Sequence, residues 1–235
     1  FALALLSDVT MANIHRSKKC NESVAVLFAG LAATSPAIRP FVMDMTTTLM
    51  MYKLSADRDL PLPCKGSGKI VVEDPMHSQL LAAEPSDSGF SLDKSTFSQS
   101  EVLSPLCNTI RSTENAEVAK AELGVLNTII EGTGQTMRGD VWPMMIDAIA
   151  SLSGDSSYSI NRSSSEWSEC CLLAFRNLKL IVDDFLDLLP SATGESATAS
   201  LLDCCSSFVV SRHDVNTSLT AIGLLWTIAD RDSDS

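Results

Sequence analysis

EWSECCLLAFRNLKLIVDDFLDLL, residues 166–189, decides how the rest of the chain is read. Cys171, Phe175, Leu178, Ile181, Val182, Phe185, Leu188 and Leu189 recur at steps of three and four. At 3.6 residues per turn they fall on one stripe, and the spacing predicts a helix across the whole stretch. Asp183 and Asp187, one turn apart on the other side, read as a solvated face. Pro190 cannot donate the next backbone hydrogen bond and ends the helix. After a joint marked by Gly194 and Thr198, Leu201, Leu202, Cys205, Phe208 and Val209 carry a second apolar face. A third segment, NTSLTAIGLLWTIAD at 216–230, starts near Asp214 or Asn216, both good caps. Leu219, Ile222, Leu225, Trp226 and Ala229 are its expected buried stripe.

Working upstream, 114–131 places Val118, Leu123, Leu126, Ile129 and Ile130 near one face, and Gly132 and Gly134 predict a left-handed cap. Asp140 is expected to cap a helix bearing Trp142, Met145, Ile146, Ile149 and Leu152, with Pro143 tolerated in its first turn. Near the start, 22–33 is dense in Ala, Val and Leu. Pro36 can open a second helix through Met43, Leu49, Met50 and Tyr52, so residues 1–52 read as an antiparallel helix pair. Residues 53–112 differ: Pro61, Pro63, Pro75, Pro85 and Pro105 and repeated Ser predict a largely disordered insert. Within it, 95–110 is a candidate short helix and Ile70-Val71-Val72 a strand-like run without a partner. A shorter polar insert follows at 153–165. Residues 113–235 form the main helical region. Seven or eight helices, pairs recurring at roughly 50 residues and no convincing sheet give an all-α fold. The expectation is an armadillo/HEAT-like helical solenoid segment with long polar inserts; a closed bundle is the alternative.

The chain has 235 residues, 45% hydrophobic, ample for a core, and a formal net charge of −12. Phosphate backbones would repel such a surface, which argues against nucleic-acid binding and against broad adhesion to anionic lipid. The one tight basic cluster, Arg16, Lys18 and Lys19, reads as a solvated helix end. Cys170-Cys171 and Cys204-Cys205 lie inside apolar-periodic stretches and are read as small buried hydrophobes in a reduced, cytosolic protein. Three Asn-x-Ser triplets, at Asn21, Asn161 and Asn216, point the other way but recur by chance in a Ser-rich chain. The longest apolar run, 24–33, is half of the ~20 residues a membrane span needs. The apolar start at 1–6 is too short for a signal peptide, and the opening residue, Phe1, fits an excised piece of a longer protein.

Chemistry is sparse. Gly66-Ser67-Gly68-Lys69 fails as a phosphate loop, with Pro63 in place of the first Gly and Ile70 in place of the magnesium-binding Ser or Thr. His15, His77 and His213 are scattered, and neither they nor the cysteines have metal-ligand spacing. Adjacent Asp183 and Asp184 diverge around a helix, a poor acid–base pair. No catalytic centre, cofactor site or metal site is expected. Trp142 and Trp226 are read as core residues in preference to interface anchors.

Phe175, Leu178, Ile181, Val182, Asp184, Phe185, Leu186 and Pro190, then Asn216, Thr217, Ser218, Leu219, Thr220, Ala221, Ile222, Gly223, Leu224, Leu225, Trp226 and Asp230, form a pattern that resembles the Mon-two family. The run through Leu126 and Gly134 to Trp142-Pro143 and Ile149 is similar to the segment before it in that family. The resemblance covers about half of the chain, 114–230. It implies an armadillo-like region of a non-catalytic endosome-to-Golgi trafficking scaffold, cytoplasmic and peripheral on Golgi and endosome membranes. The partners it implies are proteins, among them a Dopey-type protein and an Arf-like small GTPase. It assigns none of those contacts to a residue. The family is related to BIG-type Arf exchange factors, so the region downstream of a catalytic Sec-seven domain in such an exchange factor is a second reading; an unrelated HEAT-like adaptor is the third.

Overall fold

In the computed structural model the described residues are 2–12, 18–56, 99–153, 165–189, 195–211 and 214–233. They form nine α-helices: α1 Ala2–Ala12, α2 Lys18–Thr34, α3 Arg39–Ala56, α4 Gln99–Ser112, α5 Ala116–Thr133, α6 Val141–Ala150, α7 Ser165–Phe185, α8 Glu195–Val209 and α9 Val215–Ser233. Two 3₁₀ turns, Gly134–Thr136 and Leu186–Leu188, follow α5 and α7. No strand occurs among the described residues.

The helices stack in two layers. Odd-numbered helices pack on one another in the order α1, α3, α5, α7, α9, and even-numbered ones in the order α2, α4, α6, α8. Sequence neighbours α2 and α3, α4 and α5, α6 and α7, α8 and α9 join the layers. This is an all-α solenoid. Helices α5, α7 and α9 begin 49 and 50 residues apart, at Ala116, Ser165 and Val215, so the repeat seen in the sequence is one step of the odd layer.

One continuous core runs between the layers. Trp142 of α6 meets Phe185 of α7 at a ring-centroid distance of 5.5 Å, and Phe175 of α7 meets Phe208 of α8 at 5.4 Å. Polar ties reinforce it: the Asn177 side-chain amide donates to the Leu123 carbonyl at 3.1 Å, joining α7 to α5. Buried Gln99 donates to the Thr136 carbonyl (3.1 Å) and accepts from the Arg138 amide (2.7 Å), fixing the start of α4 to the turn after α5. Ion pairs Arg111–Asp147, Lys120–Glu169 and Arg231–Asp187 bridge neighbours within a layer. All are partly solvated, so they add little stability.

Several sequence expectations need correction. Helix α1 was not anticipated. Pro36 lies in a turn; α3 starts at Arg39 with Pro40 in its first turn, where the missing N–H is free of cost. The candidate helix at 95–110 forms as Gln99–Ser112 and buries Val102, Leu103, Leu106, Cys107 and Ile110, so this part of the 53–112 stretch belongs to the core. The expected left-handed cap after α5 does not form: Gly134 has φ −51° and ψ −40°, and its glycine is required because a Cβ there would overlap the Phe185 ring. Asp140 precedes α6 but its side chain makes no capping bond. Helix α7 stops at Phe185, where the backbone turns to φ −127°, ψ 1°; the tighter 3₁₀ turn then brings Leu186 and Leu189 into the core. Gly66–Lys69, Ile70–Val72, Pro190, Gly194 and the three histidines lie outside the described residues.

Candidate interaction surfaces

Helix α9 is anchored at its start. Asp214 caps it, its carboxylate accepting from the Thr217 amide and hydroxyl, both at 2.9 Å. Those hydrogen bonds, the hydroxyl first, hold the carboxyl below the usual range. The Ser218 hydroxyl lies 3.2 Å from the Ser211 carbonyl and 3.3 Å from that of Phe208, tying α9 to the end of α8. These contacts fix the rotation of α9 about its axis. Thr217, Ala221, Leu224 and Ile228 turn inward and are buried.

The expected stripe is therefore misplaced. Leu219 and Ile222 are exposed, and Trp226 is 74% exposed, against 0% for Trp142. Together with exposed Val215 they form an uncovered apolar row on the outer side of α9. The sequence could not distinguish the two faces, because apolar residues extend over more than half of the helix circumference.

The residues of the family-like pattern separate into core and surface. Phe175, Phe185, Trp142 and Leu224 are buried, and Pro143, Ser218 and Leu225 are half-buried. Asp184, Asn216, Leu219, Ile222, Gly223, Trp226 and Asp230 are exposed; Pro190 is not among the described residues. Leu219, Ile222 and Trp226 are brought together on α9, with Gly223 and Asp230 beside them, whereas Trp142 lies beneath α7.

A second feature lies on the even layer. A groove of about 560 Å³ is lined by Val26 and Ala29 of α2, Ser104, Pro105 and Asn108 of α4, and Met144 of α6. Beneath it the Glu122 side chain of α5 is buried among Ala29, Met43, Met50, Pro105 and Leu106. Its Oε2 has no hydrogen-bond partner, and burial pushes its pKa from 4.5 up to about 8. Sequence reasoning missed this group, although Val118, Glu122 and Leu126 are spaced by four on one apolar face.

Cys107, Cys170, Cys171, Cys204 and Cys205 are free and buried. Burial pushes the Cys107 and Cys205 thiols up to about 12, which keeps them protonated and unreactive. Among the described residues no three His, Cys, Asp or Glu side chains converge as metal ligands, and no helix is long and apolar enough to cross a membrane.

No family model matches the chain, and no solved structure matches it significantly. Curated proteins do. The chain is 28% identical over 128 residues to the Protein MON2 homolog of Xenopus laevis, covering 53% of this chain. It is 27% identical over 129 residues to that of Homo sapiens and 26% over 132 residues to that of Drosophila melanogaster, covering 55% and 56% of this chain. Each match spans 7% of the relative's length. These similarities support a relationship to the MON2 homologues.

Proposed function

We propose that this chain is a non-catalytic, protein-binding segment of a longer MON2-like scaffold that acts in vesicle-mediated transport from endosomes to the Golgi. The reading is carried by one coincidence: similarity to MON2 homologues from three animals falls on a chain that folds as a two-layer helical stack. Such stacks present a long, continuous surface, which suits them to holding proteins. The partners in this reading are a Dopey-type protein and an Arf-like small GTPase, and membrane association is peripheral. The acidic chain, at −12, favours recruitment through proteins over direct adhesion to anionic lipid.

The test is affinity capture of the endogenous protein from its own cells, with mass spectrometry of what accompanies it. A Dopey-type protein and an Arf-like GTPase are expected in the eluate. Reproducible recovery of an unrelated assembly, with neither of these, would overturn the reading.

A further inference from the structure

Burying a carboxyl group without a partner is costly. Glu122 is only 2% exposed, its Oε2 meets no hydrogen-bond donor, and no neighbouring charge offsets the burial. Beside it lies a space of about 10 Å³, walled by Ala29 of α2, Met43 and Thr46 of α3 and Pro105 of α4. That is room for one water-sized group. Ala29 and Pro105 also line the groove of about 560 Å³ above, so the two cavities meet at these residues.

The groove and the space beneath it share a charge pattern. Their lining holds two carboxyl groups, Glu101 on the rim and Glu122 at the floor, and no Lys, Arg or His. Between the two the walls are apolar, with exposed Val26, half-buried Met144, Ala29 and Pro105. A matching occupant has an unbranched apolar stem and a compact cation at its tip. Lysine has that shape: its ammonium is a point charge with three donors on a flexible four-carbon chain. The planar guanidinium of arginine is too large for a space that holds one water-sized group.

We propose that the groove between α2 and α4 receives a lysine side chain of a partner protein, its stem along Val26 and Met144 and its ammonium donating to Glu122. The protein source of the lysine rests on the protein-binding reading; the ammonium site rests on the cavity and the unpartnered carboxyl. Binding changes the proton count. Burial raises the Glu122 pKa to about 8, so at neutral pH the carboxyl is protonated and releases its proton to solvent when the ammonium pairs with it. The residues that wall it from α2 and α3 carry no charge. On α4 the titratable neighbour is Cys107, pushed by burial up to about 12 and therefore neutral throughout. On α7 the charged group facing α5 is Glu169, which pairs with Lys120. Affinity is therefore expected to rise about tenfold per pH unit below about pH 8 and to level off above it.

The test uses n-butylammonium, the lysine side chain without its backbone. It is titrated above pH 8 into the 235-residue chain, isotope-labelled at its glutamate carboxyl carbons and followed by carbon NMR. The controls are n-propylguanidinium and tetramethylammonium at equal ionic strength, and Glu122→Gln assigns the Glu122 resonance by its absence. That resonance is expected to shift saturably with n-butylammonium, and the controls are expected to bind about tenfold more weakly. Ala29→Leu fills the meeting point of the two cavities and is expected to abolish the response while the Glu122 resonance still titrates. Saturation transfer from the protein to the n-butylammonium methyl is expected in wild type and lost in Glu122→Gln, which keeps the test decisive if Ala29→Leu does not fold. In the affinity capture, n-butylammonium is expected to release a bound protein that n-propylguanidinium leaves in place, and Glu122→Gln is expected not to retain it. The proposal is overturned by the absence of a saturable shift, by a shift common to all three cations, or by a response that survives in folded Ala29→Leu. A site that binds n-butylammonium while no captured protein is released by it would also overturn it, making the occupant a free amine. Failure of the trafficking reading would show differently, as unrelated proteins among those released with the titration unchanged.

Discussion

Glu122 carries a carboxyl group into the junction of α2, α3, α4 and α5, walled by Ala25, Ala29, Met43, Thr46, Met50, Pro105 and Leu106, none of which titrates. Burial raises its pKa from 4.5 to about 8, so between those values the folded chain holds a proton that the unfolded chain has released. Stability from this group is complete below pH 4.5 and is lost as pH rises towards 8, by about 1.4 kcal/mol per pH unit. Glu122→Gln is expected to remove that slope and to gain a few kcal/mol over wild type at pH 8 relative to pH 4.5, on the order of 3–5. Urea unfolding of both proteins across the window measures it; parallel pH profiles would refute it. The two tryptophans give a second contrast. Trp142→Ala should cost about 3–5 kcal/mol, because a filled core site is emptied. Trp226→Ala should stay within about 0.5 kcal/mol. Denaturant midpoints of the two variants decide it.

Single helices show where the sequence was legible. Apolar residues at steps of three and four located α5, α6, α7 and α8, and most of the residues named on their stripes are buried. That signal is strong because one face of each helix meets the core and the other meets water. Helix ends were harder to read, because they depend on distant partners: Gly134 is small for Phe185, fifty-one positions away in sequence, and Gln99 fits the turn after α5. Helix α9 defeated the periodicity for a different reason. Its apolar arc is too wide to name one buried face, and its rotation is set by Asp214 and Ser218. Helix α4 was legible only as a candidate short helix at 95–110, because Pro105 and the Ser-rich run before it are poor helix signals that its packing overrides. Where the cap is local, a sharper expectation follows. The Asn115 side-chain oxygen accepts from the Glu117 and Val118 amides at 3.0 and 3.3 Å. Asn115→Ala should cost about 1 kcal/mol, read as a lower thermal midpoint, whereas Asn115→Ser should retain most of the cap.

At the scale of the whole molecule, the proposed protein-binding role rests on an open stack. A closed bundle buries its apolar faces internally, whereas a two-layer solenoid adds repeats at its ends and keeps a long side face available to partners. The MON2-like pattern spans both: Phe175, Phe185 and Trp142 hold the layers together, while Leu219, Ile222 and Trp226 face outward. The most direct test of the open architecture is the distance between its ends, measured by pulsed electron spin resonance. Spin labels would be introduced as unnatural amino acids at exposed Asp8 of α1 and Thr220 of α9. Four odd-layer steps of about 8–10 Å each separate the two helices, so a distribution centred at about 30–40 Å is expected. A closed bundle with α1 packed against α9 would instead bring their axes to about 10 Å and collapse that distribution, contradicting the solenoid.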